Sequence, residues 1–417
     1  MQICQGDAFH HMYRLPYMKI SCFLALTAIL PATIYGQNRE HADSVAERDF
    51  PVIHRIGMEL RPGYIFSTNP FLKGNNSRGR HINTAISAHI RYAFQFHPDS
   101  YTGTVYPDAY QGIGCAFNSF GSRTELGNPV TAYVFQGAPI YRFSPKISFN
   151  YEWNFGAAFG WHPYDAETNP FNRVIGSRIN AYLNVGFFFK WQLSSHWLLN
   201  TGIDLTHYSN GNTKYPNGGL NLAGGKISLT YIPNPADSRT ISHPQSFRPS
   251  FRQRLSCDAV IYGTWRRKGV FIDNKAFAAP GMFAVAGLNI NPMYTISRRF
   301  KAGISLDAQY DESANIEQYI ATSALPEELK FYRPPLKEQI GIGLSVRGEY
   351  VMPFFSINAG IGHNIYWHGK DLKGFYQILA LKFSLSRHWF LHTGYQLHDF
   401  HSPNNLMLGI GYRFNRQ

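Results

Sequence analysis

Charge is scarce in this chain: Asp, Glu, Lys and Arg make up only 16% of its 417 residues. Cysteine is scarcer still, four in all with no CxxC spacing, which excludes a disulfide scaffold. No apolar run reaches the roughly 20 residues that a bilayer-spanning helix needs, so a polytopic helical membrane protein is excluded too. HExxH, the P-loop and a strand–GxGxxG–helix context are all missing. Gly341-Ile342-Gly343 and Gly360-Ile361-Gly362 read as small inward positions of strands rather than phosphate cradles. The 17 His are scattered without metal-ligand spacing, so no metal and no cofactor is expected. What the chain has instead is 32 Phe, 26 Tyr and 37 Gly, a composition of strands and tight turns. With 44% hydrophobic residues it is no disordered polymer.

The N-terminus reads as a leader. Lys19 precedes the apolar stretch Ile20 to Ile34, and Gly36 offers a small residue for cleavage before Gln37. Residues 1–36 are therefore expected to be a signal peptide, with Met18 as the start and 1–17 as an over-called extension. Its removal takes away Cys4 and Cys22 and leaves Cys115 and Cys257 in an exported chain.

Period-two alternation dominates the rest. From Ile179 to Leu193 the odd positions are Ile, Ala, Leu, Val, Phe, Phe, Trp and Leu, while the even ones include Asn180, Asn184, Gly186, Lys190 and Gln192. Ile340–Arg347 and Leu406–Phe414 repeat the pattern. Segments of about ten such residues, with aromatic ends, are the mark of a transmembrane β-barrel. In lipid every backbone group must be paired, so the sheet has to close. Short turns at Ser144-Pro145-Lys146, Ser194-Ser195, Ser297-Arg298, Met352-Pro353 and Ser386-Arg387 alternate with longer polar loops such as 162–178 and 311–337. His97–Gln111 and Pro233–Arg254 are long where short turns are due. The expectation is an all-β, antiparallel barrel of the bacterial outer membrane with about 16 strands, 12 to 14 being the lower alternatives.

A repeat divides the chain. His196-Trp197-Leu198-Leu199-Asn200-Thr201-Gly202 returns as His388-Trp389-Phe390-Leu391-His392-Thr393-Gly394, and the match extends from Lys190/Lys382 to Leu205/Leu397. Residues 51–232 thus read as one half and 250–417 as a second, degenerate copy. Shared aromatic-girdle chemistry at two turns is the plainer alternative. Beyond the repeat, His207 and Ser209 become Asp399 and His401, so chemistry at this place belongs to the first half alone.

The segment from His207 to Asn221 is the candidate site. Trp197, Leu199, Ile203 and Leu205 share an apolar face, and parity puts His207 and Ser209 on that same outward face. Asn221, on the returning strand, falls there as well. A Ser hydroxyl becomes nucleophilic when a neighbouring imidazole takes its proton, and a third group must fix the imidazole tautomer. Backbone amides of the Gly-rich loop, or the amides of Asn210 and Asn217, could stabilise an oxyanion. On spacing alone, an HxS at a strand end is more often girdle and loop polarity.

HxSN followed by a Gly/Asn-rich turn with Pro-Asn resembles the active-site segment of the outer-membrane lipid A 3-O-deacylase (PagL) family, acyloxyacyl hydrolase-like enzymes. The resemblance covers roughly Pro51 to Tyr231. It implies an eight-stranded barrel with a His-Ser-Glu triad on its outer surface that removes an ester-linked acyl chain from lipid A. It further implies His207 as base and Ser209 as nucleophile, with Asn210, Gly211 and Asn217 as substrate-binding or oxyanion positions. Two departures stand out. Asn221 occupies the place of the orienting Glu, and the family barrel corresponds to about half of this chain. A fused sixteen-stranded barrel would keep the outer-face site around a wider lumen. The implied partners are lipopolysaccharide and the outer membrane, not nucleic acid. The basic run Arg266-Arg267-Lys268 is expected to meet lipid phosphates, and Arg298-Arg299-Lys301 to be solvated. A porin-like or structural barrel, and an outer-membrane phospholipase, are the competing readings.

Overall fold

The computed structural model describes residues 51–235, 254–272, 275–279, 281–321, 330–400 and 402–415. The expected signal peptide lies outside the described residues. Strands come in two sets, and each set closes on itself. The first consists of β1 (Ile53–Ile65), β2 (Thr84–Gln95), β3 (Tyr110–Ser119), β4 (Val130–Ser144), β5 (Ile147–Phe159), β6 (Ile179–Gln192), β7 (Trp197–Ser209) and β8 (Leu220–Tyr231). Its seam is the antiparallel pairing of β1 with β8, from Ile56↔Tyr231 to Ile65↔Leu222.

The second set begins at β9 (Leu255–Arg266). A small hairpin of β10 (Gly269–Ile272) and β11 (Lys275–Ala278) follows, then β12 (Phe283–Thr295) and β13 (Phe300–Asp311). After the short loop strands β14 (Ile320–Ala321) and β15 (Lys330–Phe331) come β16 (Ile340–Val351), β17 (Phe355–Tyr366), β18 (Phe375–Ser384), β19 (Trp389–His398) and β20 (Ser402–Asn415). β20 pairs back onto β9 from Leu408↔Gly263 to Asn415↔Ser256. Among the described residues sixteen of the twenty strands build the walls, as two barrels of eight and not as one wide closure.

Alternation explains the walls. On β6, Ile179, Val185 and Phe187 are exposed whereas Asn180, Tyr182 and Asn184 are buried, so the apolar set faces lipid and the polar set fills the lumen. An eight-stranded barrel leaves an interior just wide enough for side chains. In the first lumen Glu59, Glu152 and Asp204 meet Arg61, Arg91 and Lys226. Arg91 bridges Glu59 and Glu152 at 2.6 Å each, and Lys226 reaches Glu152 at 2.7 Å. In the second, Lys382 bridges Asp258 (2.9 Å) and Glu349 (2.5 Å), Arg413 meets Asp258 (2.8 Å) and Arg347 meets Asp307 (2.8 Å). Each of these clusters sets three carboxylates against three cations. Two cavities within the first lumen hold only about 20 and 30 Å³, space for a water or two. Such an interior is plugged, unlike the water-filled lumen of a porin.

The long loops cluster at one end, which is the outer end in a bacterial barrel, and the short turns at the other. At the outer end of the first barrel, Phe71, Leu72, Phe120, Leu126, Trp161, Val174 and Ile175 pack over the lumen in one apolar cluster with Tyr182 and Tyr208. At the short-turn end, 97–111 carries the helix α1 (Tyr101–Val105), a real excursion where a tight turn was due. The barrels touch there: Phe354 packs on Phe94 and Phe96, and Phe355 on Trp153. The Arg299 guanidinium donates to the Val105 carbonyl at 2.6 Å. Expected to be merely solvated, this residue ties one barrel to the other.

The sequence repeat falls on the seventh strand of each barrel, β7 and β19. His196 and Trp197 pack on Tyr231 with centroids 6.0 and 5.0 Å away, and His388 and Trp389 pack on Tyr412 at 5.4 and 5.0 Å. The two corners are built alike. Above them the copies differ, because the loop 210–219 of the first barrel corresponds to only 399–401 in the second.

Candidate active site

β7 obeys the parity read from its sequence. Asn200, Asp204 and Tyr208 are buried in the lumen, and the Tyr208 hydroxyl donates to Asn118 Oδ1 at 3.1 Å. Ile203 and Leu205 are 67% and 55% exposed on the opposite face. His207 and Ser209 continue that outward row and are half-buried at the outer rim. Polar groups on a lipid-facing wall cost about 2–4 kcal/mol at the bilayer midplane when charged, but little near the interface, so the rim tolerates them.

The β7–β8 register sets His207 directly across from Asn221. Their side chains meet, with His207 Nδ1 2.7 Å from Asn221 Oδ1. An amide oxygen can only accept, so in the neutral ring the proton sits on Nδ1 and Nε2 is the accepting nitrogen. Gly219, at φ +68°, closes one side of the ring. A Cβ there would stand 3.1 Å from His207 Cε1, so a larger residue would strain the left-handed backbone and push the imidazole by a few tenths of an ångström.

Ser209 is the member the structure does not draw in. It pairs with Ala181 across β6, and among the described residues its hydroxyl makes no hydrogen bond to the imidazole. Two residues along a strand span about 6.6 Å, so serine and histidine share a face. Catalytic hydrogen bonds are often open before substrate arrives.

Of the residues expected to contact substrate, Asn210 and Asn217 hydrogen-bond within the loop, and Gly211 lies against the second barrel. Asn210 is buried, and its amide donates to the Lys214 carbonyl at 2.9 Å and the Pro216 carbonyl at 3.4 Å. Its backbone N–H donates to Asn217 Oδ1 (3.0 Å), while Asn217 Nδ2 donates to Asn212 Oδ1 (2.9 Å). Gly211 adopts φ +61° beneath the second barrel, where a Cβ would lie 3.2 Å from Leu406 Cβ and 3.6 Å from the Tyr395 ring. Asn212 Nδ2 reaches the Asn404 carbonyl at 3.4 Å, and Arg266 holds that same carbonyl at 2.7 Å. The loop is thus buttressed by the other half of the chain, something no local pattern announced. Two further supports come from neighbouring loops: Phe66 N–H donates to the Asn221 carbonyl (2.9 Å), and Gly219 N–H to that of Val174 (3.2 Å).

Comparison with known families bears directly on this hairpin. Residues 86–230 match the lipid A 3-O-deacylase (PagL) family, and residues 255–416 match the acyloxyacyl hydrolase C-terminal domain. Between them the matches take in the second barrel and most of the first, β1 and the start of β2 lying outside. The chain belongs to the PagL family. That is a family of ester hydrolases, and the first match runs through His207, Ser209 and Asn221, while the second coincides with the barrel that lacks them. No match is found among curated proteins. Solved structures similar to the chain are outer-membrane proteins of low identity. A Pseudomonas aeruginosa ferric enterobactin receptor mutant is 7% identical with a TM-score of 0.21, covering 82% of this chain and 52% of its own. An outer membrane channel from Pseudomonas putida F1 is 9% identical at 0.17, covering 90% and 100%. A Rhodopseudomonas blastica porin mutant is 10% identical at 0.16, covering 87% and 99%. This chain spans about half the length of the receptor it matches. Superpositions this loose carry no argument, and the barrels stand on their own registers.

A second Ser–His pair in this PagL-family chain has the tighter geometry. Ser87 Oγ lies 2.8 Å from His89 Nε2, and His89 Nδ1 lies 2.8 Å from the Tyr133 hydroxyl. It belongs to the lumen, though, under the aromatic cap and beside a cavity of about 20 Å³. No acyl chain fits there. The two serines differ in the face of the strand they occupy: Ser87 faces the lumen and Ser209 the outer wall.

Proposed function

We propose that the chain is an outer-membrane esterase that removes an ester-linked acyl chain from lipid A in the outer leaflet of a Gram-negative bacterium. Ser209 Oγ attacks the ester carbonyl carbon as His207 Nε2 takes its proton. The tetrahedral intermediate then collapses, breaking the bond to the lipid oxygen, which leaves with that proton. Water, deprotonated by His207, hydrolyses the acyl-serine and releases the fatty acid. Asn221 holds the imidazole in the tautomer this sequence needs. Asn210, Gly211 and Asn217 serve by shaping the loop beside the ester. The observation that carries the reading is the 2.7 Å contact between His207 Nδ1 and Asn221 Oδ1 on a lipid-facing rim.

Mass spectrometry of lipids from cells expressing the chain tests it. Lipid A one acyl chain lighter is expected with the wild type and not with Ser209→Ala. Unaltered lipid A in both samples would defeat the proposal, and loss of acyl chains from glycerophospholipids instead would make the enzyme a phospholipase.

A further inference from the structure

Resting on that reading, we infer that the outer loops of the first barrel form an anion-binding rim that takes the phosphates of the lipid headgroup whose ester is presented to Ser209. The loop 66–83 carries Lys73, Arg78 and Arg80, 120–129 carries Arg123, 160–178 carries Arg173 and Arg178, and 210–219 carries Lys214; all are exposed. Against these seven cations the same loops hold three carboxylates. Glu125 is buried on Ser77 N–H and Ser122, and Asp165 Oδ1 accepts from Thr168. Among the described residues, none of the seven cations is ion-paired. Arg173 instead lies over the Tyr164 ring at 4.8 Å.

In the second barrel Lys337, Lys370 and Lys373 are exposed too, but the run where lipid phosphates were expected to bind behaves differently. Arg266 is buried on Asp311 (2.5 Å), Lys268 is paired with Asp371, and Arg333 lies 3.4 Å from Glu312. Its basic run is consumed internally, leaving Arg267 as the exposed member.

Three of the unpaired cations sit on the segments that build the site. The Arg173 carbonyl is 2.9 Å from where a Gly218 Cβ would be, and the Lys214 carbonyl accepts from Asn210. Arg178 leads directly into β6, whose Ala181 pairs with Ser209. Guanidinium groups bind phosphate oxygens in bidentate fashion, and unpaired cations at a membrane surface attract anionic headgroups. A phosphate held at this height fixes how deep the sugar rides and hence which ester meets the hydroxyl.

Binding is measured on purified Ser209→Ala protein, so that turnover plays no part, with phosphorylated lipid A and its dephosphorylated form in matched micelles. Arg173→Gln/Arg178→Gln/Lys214→Gln is expected to weaken binding of the phosphorylated lipid at least about tenfold. Arg173→Lys/Arg178→Lys is expected to retain most of the affinity, and dephosphorylated lipid to bind like the triple variant. Inorganic phosphate at equal ionic strength should compete poorly. Equal binding by the triple variant, equal binding of the two lipids, or displacement by millimolar inorganic phosphate would each overturn the headgroup assignment. A retained phosphate preference in a chain whose wild type cleaves no lipid would refute the esterase and leave the rim standing.

Discussion

Exchanging the amide of Asn221 for a carboxylate replaces its Nδ2 and keeps the Oδ1 that lies 2.7 Å from His207 Nδ1, but adds a negative charge beside the imidazole. An anion there stabilises the imidazolium that forms as Ser209 attacks, which a neutral amide does only weakly. Asn221→Asp is therefore expected to raise kcat by about tenfold or more with KM little changed, and Asn221→Ala to lower kcat by about a hundredfold, read as deacylation rates in micelles. At this scale the sequence was informative. Parity along β7 and β8 put His207, Ser209 and Asn221 on the outer face, and the structure keeps all three there. Gly219 escaped notice because closeness to a ring depends on φ, and one glycine in a Gly-Gly pair looks like any other. That the side chains of Asn210 and Asn217 hydrogen-bond within their own loop was not legible, because an exposed-looking polar loop conceals which amides fold back on it.

Among the elements, the strands owe their cohesion to buried charge as much as to the ladder. Glu152 accepts from Arg91, Lys226 and the Tyr110 hydroxyl, at 2.6, 2.7 and 2.8 Å. Glu152→Gln leaves those cations short of a counter-charge, at a cost of about 3–5 kcal/mol. A lower urea midpoint for unfolding in detergent, followed by the gel shift of heated samples, is expected. The loops of the second barrel titrate differently. Burial pushes the Asp371 carboxyl up, but the Lys268 ammonium and the Asn315 N–H outweigh it and hold it below the usual carboxylate range. Its contribution is then fully present above the ordinary carboxylate pKa and disappears as pH falls through the depressed value. Protease cleavage of loop 367–374 should accelerate on acidification, and Asp371→Asn should cleave quickly at neutral pH as well. Alternation gave away the strands and their faces. The excursion at 97–111 kept its helix hidden, since five residues are too few for a period to register.

On the scale of the whole molecule, two plugged barrels lean together, and the second reaches over to steady the hairpin of the first. Asn212→Asp keeps the acceptor for Asn217 and a left-handed backbone that Asn and Asp tolerate, yet loses the donor to the Asn404 carbonyl. Deacylation is expected to fall several-fold in kcat while thermal unfolding of either barrel is unchanged; an unaltered rate would make the second barrel a bystander. Which strands close on which could not be read from periodicity, because an alternating strand is equally content beside any neighbour of the same pattern. Sixteen strands were countable, but where the seam falls depends on pairings such as Ile56 with Tyr231, which lie far apart along the chain.

His207 and Ser209 look sideways into the leaflet rather than into a pocket open to water. Under the proposed function their substrate would arrive by two-dimensional diffusion, and the quantity that saturates such a catalyst is molecules per unit area of membrane. Diluting lipid A with inert amphiphile at constant bulk amount should slow the reaction, as no soluble hydrolase would be slowed.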